Sequence, residues 1–230
     1  MQKIVIIVAG GMGTRMGISM PKQFIEIAGL PVLMHTIKAF YNAEDISETI
    51  LVLPELQFEH WRELCARFNF TIKTRLIKGG QTRFHSVKNG LNAIRNQGLV
   101  AIHDGVRPLV SADTIKRCFK YAFNYGCAIP VVNLNDSVRK IEHNTSIALN
   151  REAYKLVQTP QVFQTEVVKL AFKQRYSAAF TDDASVVEAA GYKITLVDGN
   201  IENIKITTHT DLIIAESLIN SGVCIPFPKK

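Results

Sequence analysis

Ile4-Val5-Ile6-Ile7-Val8-Ala9-Gly10-Gly11-Met12-Gly13-Thr14-Arg15-Met16-Gly17-Ile18-Ser19-Met20-Pro21-Lys22-Gln23 is the stretch around which the rest of the chain is read. Ile4 to Val8 is an unbroken β-branched run with no polar alternation, which reads as a strand buried on both faces, as in a parallel sheet. It feeds directly into a glycine-dense loop carrying Arg15 and then Lys22. Glycine lets the backbone turn sharply and approach a ligand, so successive N–H groups can point at phosphate oxygens while the two cations add charge. Strand and loop together make a cradle for a polyanion.

Spacing excludes the two commonest glycine loops. Gly11-Met12-Gly13-Thr14-Arg15-Met16 puts methionine where the dinucleotide fingerprint needs its third glycine, and the Gly-Lys-Ser/Thr ending of a Walker A loop is absent. Taken alone, the loop also reads as a structural turn with two solvated cations; the later motifs weigh against that.

A length of 230 residues fits one domain with a substantial core, and a formal charge of +7 favours anionic ligands. The basic residues are scattered rather than striped and no nucleic-acid motif appears, so no nucleic-acid partner is expected. Cys65, Cys118, Cys127 and Cys224 form no Cys-x-x-Cys pair and read as free thiols. No apolar run reaches membrane length or has the plan of a signal peptide, so the expected setting is the cytoplasm, with no membrane partner.

Periodicity predicts helices over 31–41, 55–68, 83–95, 112–125, 165–175, 182–190 and 211–219, and strands over 49–53, 71–77, 99–103, 127–132 and 193–197. Strand alternating with helix means an α/β fold, a mostly parallel sheet with helices on both faces and ligands beyond the carboxyl ends of the strands. The loops there are 9–22, 79–82, 104–108 and 133–137. Between 133 and 150 the pattern changes to two short alternating runs around His143-Asn144, a protruding β-hairpin arm whose apolar side chains need cover from a second subunit.

Further motifs lie at the strand ends. Gly79-Gly80-Gln81-Thr82-Arg83, then Ser86, offers backbone groups to the edge of a base; its plain reading is a turn with Thr82 as N-cap. In His103-Asp104-Gly105-Val106-Arg107-Pro108, Asp104 can meet a metal or a sugar hydroxyl and Arg107 a phosphate, while His103 belongs to the packed strand. Thr159-Pro160-Gln161, Thr181-Asp182-Asp183-Ala184-Ser185 and Glu202-Asn203-Ile204-Lys205-Ile206-Thr207 complete the set, Thr181 serving on the plain reading as a helix cap.

In this order the motifs resemble the 2-C-methyl-D-erythritol 4-phosphate cytidylyltransferase family, also called 4-diphosphocytidyl-2-C-methyl-D-erythritol synthase, from the first strand nearly to the C-terminus. The resemblance implies a single cytidylyltransferase domain over 1–230 with a Rossmann-like nucleotidyltransferase fold and a dimerisation arm at about 133–150. It implies CTP and methylerythritol phosphate as substrates, pyrophosphate as product, Mg²⁺ on the triphosphate, a homodimer joined through the arm, and a place in non-mevalonate isoprenoid synthesis. It implies catalytic roles for Arg15 and Lys22 at the transition state, and for Arg151, across the dimer, and Lys205 on the substrate phosphate. It further places Ala9, Gly10 and Gly13 in the triphosphate loop and Gly79, Gly80 and Ser86 at the cytosine, with Gly11 and Gln81 as further substrate-binding positions. Asp104, Arg107 and Thr159 fall near the ribose and erythritol, and Gly105, Ser137 and Thr181 are further substrate-binding positions. The metal ligands are not implied, with Asp104 the candidate. Two departures stand out: Ala9-Gly10-Gly11 replaces the usual Ala-Ala-Gly, and Ser137 replaces threonine. The glycine loop is equally similar to ribitol-5-phosphate cytidylyltransferase, and a non-catalytic nucleotide sensor is the alternative from another class.

Overall fold

The computed structural model describes residues 1–11 and 20–222, so the expectations placed on Gly13 and Arg15 lie outside the described residues. In chain order the elements begin with β1 (Gln2–Val8), β2 (Glu26–Ile27), β3 (Leu30–Pro31), α1 (Val32–Ala43), β4 (Glu48–Leu53), α2 (Phe58–Arg67) and β5 (Arg75–Lys78). They continue with α3 (Arg83–Ala93), β6 (Gly98–Asp104), α4 (Ala112–Tyr125), β7 (Cys127–Asn133), β8 (Val138–Glu142), β9 (Thr145–Leu149) and β10 (Lys155–Val157). The last are β11 (Gln161–Gln164), α5 (Thr165–Ala171), α6 (Asp183–Ala189), β12 (Thr195–Asp198) and α7 (His209–Asn220).

The main sheet runs β10-β7-β11-β6-β1-β4-β5, with β12 also pairing to β7. β1 lies parallel between β4 and β6, and β5 continues parallel beyond β4. The predicted apolar run is therefore the centre of the sheet, and its alternation feeds two cores. Val5 and Ile7 face α1, α2 and α4 through Leu33, Phe40, Trp61 and Phe119. Ile4 and Ile6 face α3, α5 and α6 through Val87, Leu91, Val168 and Val187. Each fully buried side chain of this kind contributes roughly 1.5–3 kcal/mol of burial free energy, so a strand covered on both faces is strongly held. α7 closes a smaller core with Ile27, Val32, Leu109 and Ile206.

The sheet is not uniformly parallel. β11 enters antiparallel between β6 and β7, and β10 pairs antiparallel with β7. The two are segments of one line along β7, separated by Gln158–Pro160 with its cis Thr159–Pro160 peptide bond. The chain returns here from the β8–β9 hairpin without a helical crossover, and antiparallel pairing follows from that reversal. The hairpin forms its own two-stranded sheet, register Val138↔Leu149 to Glu142↔Thr145, with Ile141 72% and Ile147 52% exposed. Elsewhere the helix expected over 165–175 stops at Ala171, the strand expected over 71–77 begins only at Arg75, and residues 203–207 form no ladder. No described helix is long and apolar enough to cross a membrane.

Candidate functional site

The carboxyl ends of β1, β5 and β6 open into one cleft of about 380 Å³. Ala9, Gly10 and Gly11 form one wall, Gly80, Gln81 and Thr82 another, and Lys22 and Lys205 face it with Asp104 between. Three elements far apart in sequence meet here because β5, β4, β1 and β6 lie side by side and parallel in the sheet.

The glycine-pair loop is held from beneath. Thr82 caps α3 by accepting from the His85 N–H, as expected of its position. The Ser86 hydroxyl accepts from the Gly80 N–H at 3.0 Å and donates to the Thr82 carbonyl at 3.0 Å, so it shapes the loop rather than standing open in the cleft. A Cβ on Gly80 would lie 2.4 Å from the Cβ and 2.9 Å from the carbonyl carbon of His85, so only glycine permits this closure. Gly79 donates its N–H to Leu53, which anchors the loop to β4.

Lys22 sits on a 3-10 turn, Lys22–Phe24, and its ammonium donates to the Thr207 carbonyl at 2.9 Å. Gln23 behind it is buried and donates to the Ala9 carbonyl at 2.9 Å, tying the turn to the end of β1. Thr207 is in turn fixed by the Asp211 carboxylate, which accepts from its N–H and hydroxyl at 2.8 and 2.9 Å.

Asp104, the last residue of β6, is the electrostatic centre. Its Oδ1 accepts from Arg83 Nε at 3.2 Å; its Oδ2 accepts from Lys205 Nζ at 2.9 Å and Arg107 Nε at 3.4 Å. Burial alone would raise this carboxyl, but the charges of Arg83, Lys205 and Arg107 outweigh it and hold Asp104 well below the ordinary carboxylate range. Arg107 also donates to the Asn203 carbonyl at 2.7 Å, fastening the strand end to the segment that carries Lys205.

Beneath Asp104 lies a buried relay. His103 Nε2 is 3.0 Å from the Arg107 carbonyl, an acceptor, so that nitrogen carries the proton and Nδ1 accepts from the Thr159 hydroxyl at 3.0 Å. The same hydroxyl accepts from the Asp104 N–H at 3.2 Å. Burial pushes His103 down to about 4, in keeping with a neutral ring.

The sequence-predicted residues thus fall into three groups. Ala9, Gly10, Gly11, Lys22, Gly80, Gln81, Ser86, Asp104 and Lys205 line the cleft together. Gly79, Gly105, Arg107 and Thr159 pack behind it; a Cβ on Gly105 would lie 2.7 Å from the Ala9 Cβ, and its carbonyl accepts from Thr36. Ser137, Arg151 and Thr181 are exposed and do not line it; Arg151 donates instead to the Asn135 carbonyl beside the hairpin. The cap of α6 is Asp182 rather than Thr181, in a capping box with Ser185. Reading motif by motif missed Arg83 and Asp183, whose guanidinium and carboxylate pair at 2.8 and 2.7 Å behind Asp104.

A mostly parallel sheet whose carboxyl edge gathers the Ala9–Gly11 and 79–82 loops, Lys22, and an ionised Asp104 paired with Lys205 has the layout of a nucleotidyltransferase, and its likeness to known proteins places it there. A family profile described as 2-C-methyl-D-erythritol 4-phosphate cytidylyltransferase matches residues 3–221, and the chain belongs to that family. The enzyme of that name from Phocaeicola vulgatus is 51% identical over 219 residues, 95% of this chain and 100% of its own. The one from Clostridium perfringens is 41% identical over 225 residues, with 95% and 100% covered. Among solved structures, 4-diphosphocytidyl-2C-methyl-D-erythritol synthase from Anaerococcus prevotii matches with a TM-score of 0.82 at 26% identity over 95% of this chain and 96% of that one. The cytidylyltransferase from Thermus thermophilus matches with a TM-score of 0.73 at 30% identity, with 94% and 98% covered.

Proposed function

We propose that this chain transfers the cytidylyl group of CTP to 2-C-methyl-D-erythritol 4-phosphate, releasing pyrophosphate, as a step of non-mevalonate isoprenoid synthesis. The observation that carries the reading is the convergence of Ala9–Gly11, the 79–82 loop, Lys22, Asp104 and Lys205 on one cleft, in a chain half identical to curated enzymes of that name.

The chemistry suits these residues. A phosphate monoester is already an anionic nucleophile, so the reaction needs no strong general base; the obstacle is charge repulsion as it approaches the α-phosphate in line with departing pyrophosphate. Lys22 and Arg15 supply positive charge where negative charge builds up on the phosphates at the transition state, Arg15 by its place in the glycine loop. Lys205, poised on Asp104 at 2.9 Å, exchanges that carboxylate for the incoming phosphate of the polyol. The Gly80 and Gln81 wall receives the cytosine, and the Ala9–Gly11 wall the triphosphate.

Among the described residues no cluster of three or more His, Cys, Asp or Glu side chains forms a metal cage. Asp104 is, among the described residues, the one carboxylate lining the cleft. Mg²⁺ takes one or two carboxylates beside substrate phosphates, and Asp104 would be its protein contact through Oδ2 once Lys205 had left that oxygen for the phosphate. When bound, the ion neutralises charge on the leaving group.

The chain acts as one catalytic unit with the hairpin as an arm, and as a homodimer. Ile141 and Ile147 on the arm, with Leu156 and Leu196 on the sheet, are exposed apolar side chains that a second copy would cover. Arg151, directed away from its own cleft, then serves the neighbouring one.

Pyrophosphate release with Mg²⁺ tests the reading, comparing CTP with the other nucleoside triphosphates and methylerythritol phosphate with ribitol 5-phosphate. Release only with CTP and methylerythritol phosphate is expected; a preference for ribitol 5-phosphate would overturn the acceptor.

A further inference from the structure

Arg83 is the first residue of α3, yet its side chain turns away from the helix it begins. Both terminal nitrogens donate to the two oxygens of Asp183, at 2.8 and 2.7 Å, and Nε donates to Asp104 Oδ1 at 3.2 Å. Asp183 opens α6 with its side chain 1% exposed, and no residue of that helix lines the cleft. Asp183 therefore stands outside the cleft wall. One guanidinium connects three elements that share no backbone pairing: the loop leading into α3, the end of β6 and the start of α6.

We propose that Asp183 and Arg83 form a single positioning unit for the transfer reaction, Asp183 fixing the guanidinium fork and the fork fixing the plane of the Asp104 carboxylate. The inference rests on the cytidylyl-transfer reading above. The division of labour on Asp104 is what makes its plane matter. With Oδ1 committed to Arg83, Oδ2 alone holds Lys205 and Arg107, and the Lys205 ammonium is set at the edge of the cleft. Without a fixed fork the carboxylate rotates and both its oxygens compete for Lys205 and Arg107, drawing the ammonium away from the polyol phosphate. The glycine-pair loop does not depend on this unit, because Thr82 and Ser86 hold it through their own hydrogen bonds. The consequence falls on the acceptor and on turnover, not on nucleotide binding. Planar fork geometry is the property used, so lysine at position 83 cannot replace it.

Steady-state kinetics of Asp183→Asn, Arg83→Lys and the double variant, with CTP and methylerythritol phosphate varied separately and thermal midpoints measured alongside, test the unit. Each single variant is expected to lose roughly ten- to a hundredfold in kcat with a raised KM for the polyol phosphate, as misplacement of reacting groups does. The KM for CTP is expected to stay within about threefold, and the double variant to be no worse than the worse single one, as for residues acting together. A loss spread equally over kcat and both KM values and following the thermal midpoint would reduce the pair to a structural staple and overturn the proposal. Tighter CTP binding in Asp183→Asn would overturn it by making Arg83 a direct phosphate ligand. If Asp183→Asn does not fold, Arg83→Lys decides by the same split. A parent protein silent with CTP and methylerythritol phosphate would overturn the underlying reading, and this inference with it.

Discussion

Lys22 illustrates how a residue visible in a motif acquires a role only from its partners. Its ammonium rests on the Thr207 carbonyl, which Asp211 holds in place. A fixed charge costs no reorganisation as the transition state forms, which makes it worth more to turnover than to ground-state binding. Lys22→Ala is expected to lower kcat about a hundredfold, roughly 3 kcal/mol, while CTP binding changes far less; calorimetric titration beside steady-state kinetics checks this, and an unaltered kcat would remove Lys22 from the chemistry. His103 shows the opposite case, a residue whose placement in a packed strand was legible but whose relay to Thr159 was not. Because burial lowers its pKa from the ordinary 6.5 to about 4, the unfolded chain binds the extra proton first. Stability is therefore full above about pH 6.5 and falls as the pH drops toward 4, on the order of 3 kcal/mol by linkage. Thermal melts from pH 7 to 4.5 should show the decline, and His103→Gln should flatten it. Arg83 and Asp183 were invisible as a pair because 100 positions separate them and each has an ordinary local explanation, one in a helix's first turn and one beside a cap.

At the level of elements, what could be read in advance followed the strength of the period. β1, β4, β6 and β7 are apolar runs bounded by loops, and α4 was predicted with its observed ends because Ser111 caps it and its apolar face repeats cleanly. β10 and β11 were not anticipated: three and four residues are too few to show alternation, and β11 follows a proline. β2 and β3, two residues each, carry no period at all. The hairpin was legible because His143-Asn144 interrupts two alternating runs, and His143 indeed takes a positive φ of 51° at the tip. Ile141 and Ile147 on that arm are the element's claim to a partner. If the arm joins two copies as proposed, the parent chain sediments as a dimer and replacing both by aspartate gives a monomer with lowered activity; a parent monomer, or a dimer that persists in the variant, would show that the arm does not join two copies.

On the scale of the whole molecule, a central parallel sheet covered on both faces does for this chain what a scaffold must. It brings residues from the ends of three strands to one edge and holds them there with cores on either side. The candidate binding residues lie on loops at the strand ends, and those loops are held in shape by bonds such as Gly80 N–H to Ser86 and Gly79 N–H to Leu53. The cleft is correspondingly basic, with Lys22, Arg83 and Lys205 around the one carboxylate. Whether this edge joins a nucleotide to a polyol phosphate is read from the mass of the product. Incubated with CTP, methylerythritol phosphate and Mg²⁺, the protein is predicted to yield one new species, the cytidine diphosphate ester of methylerythritol, in equal amount to pyrophosphate. Pyrophosphate accompanied by free CMP, or no new species at all, would contradict the account.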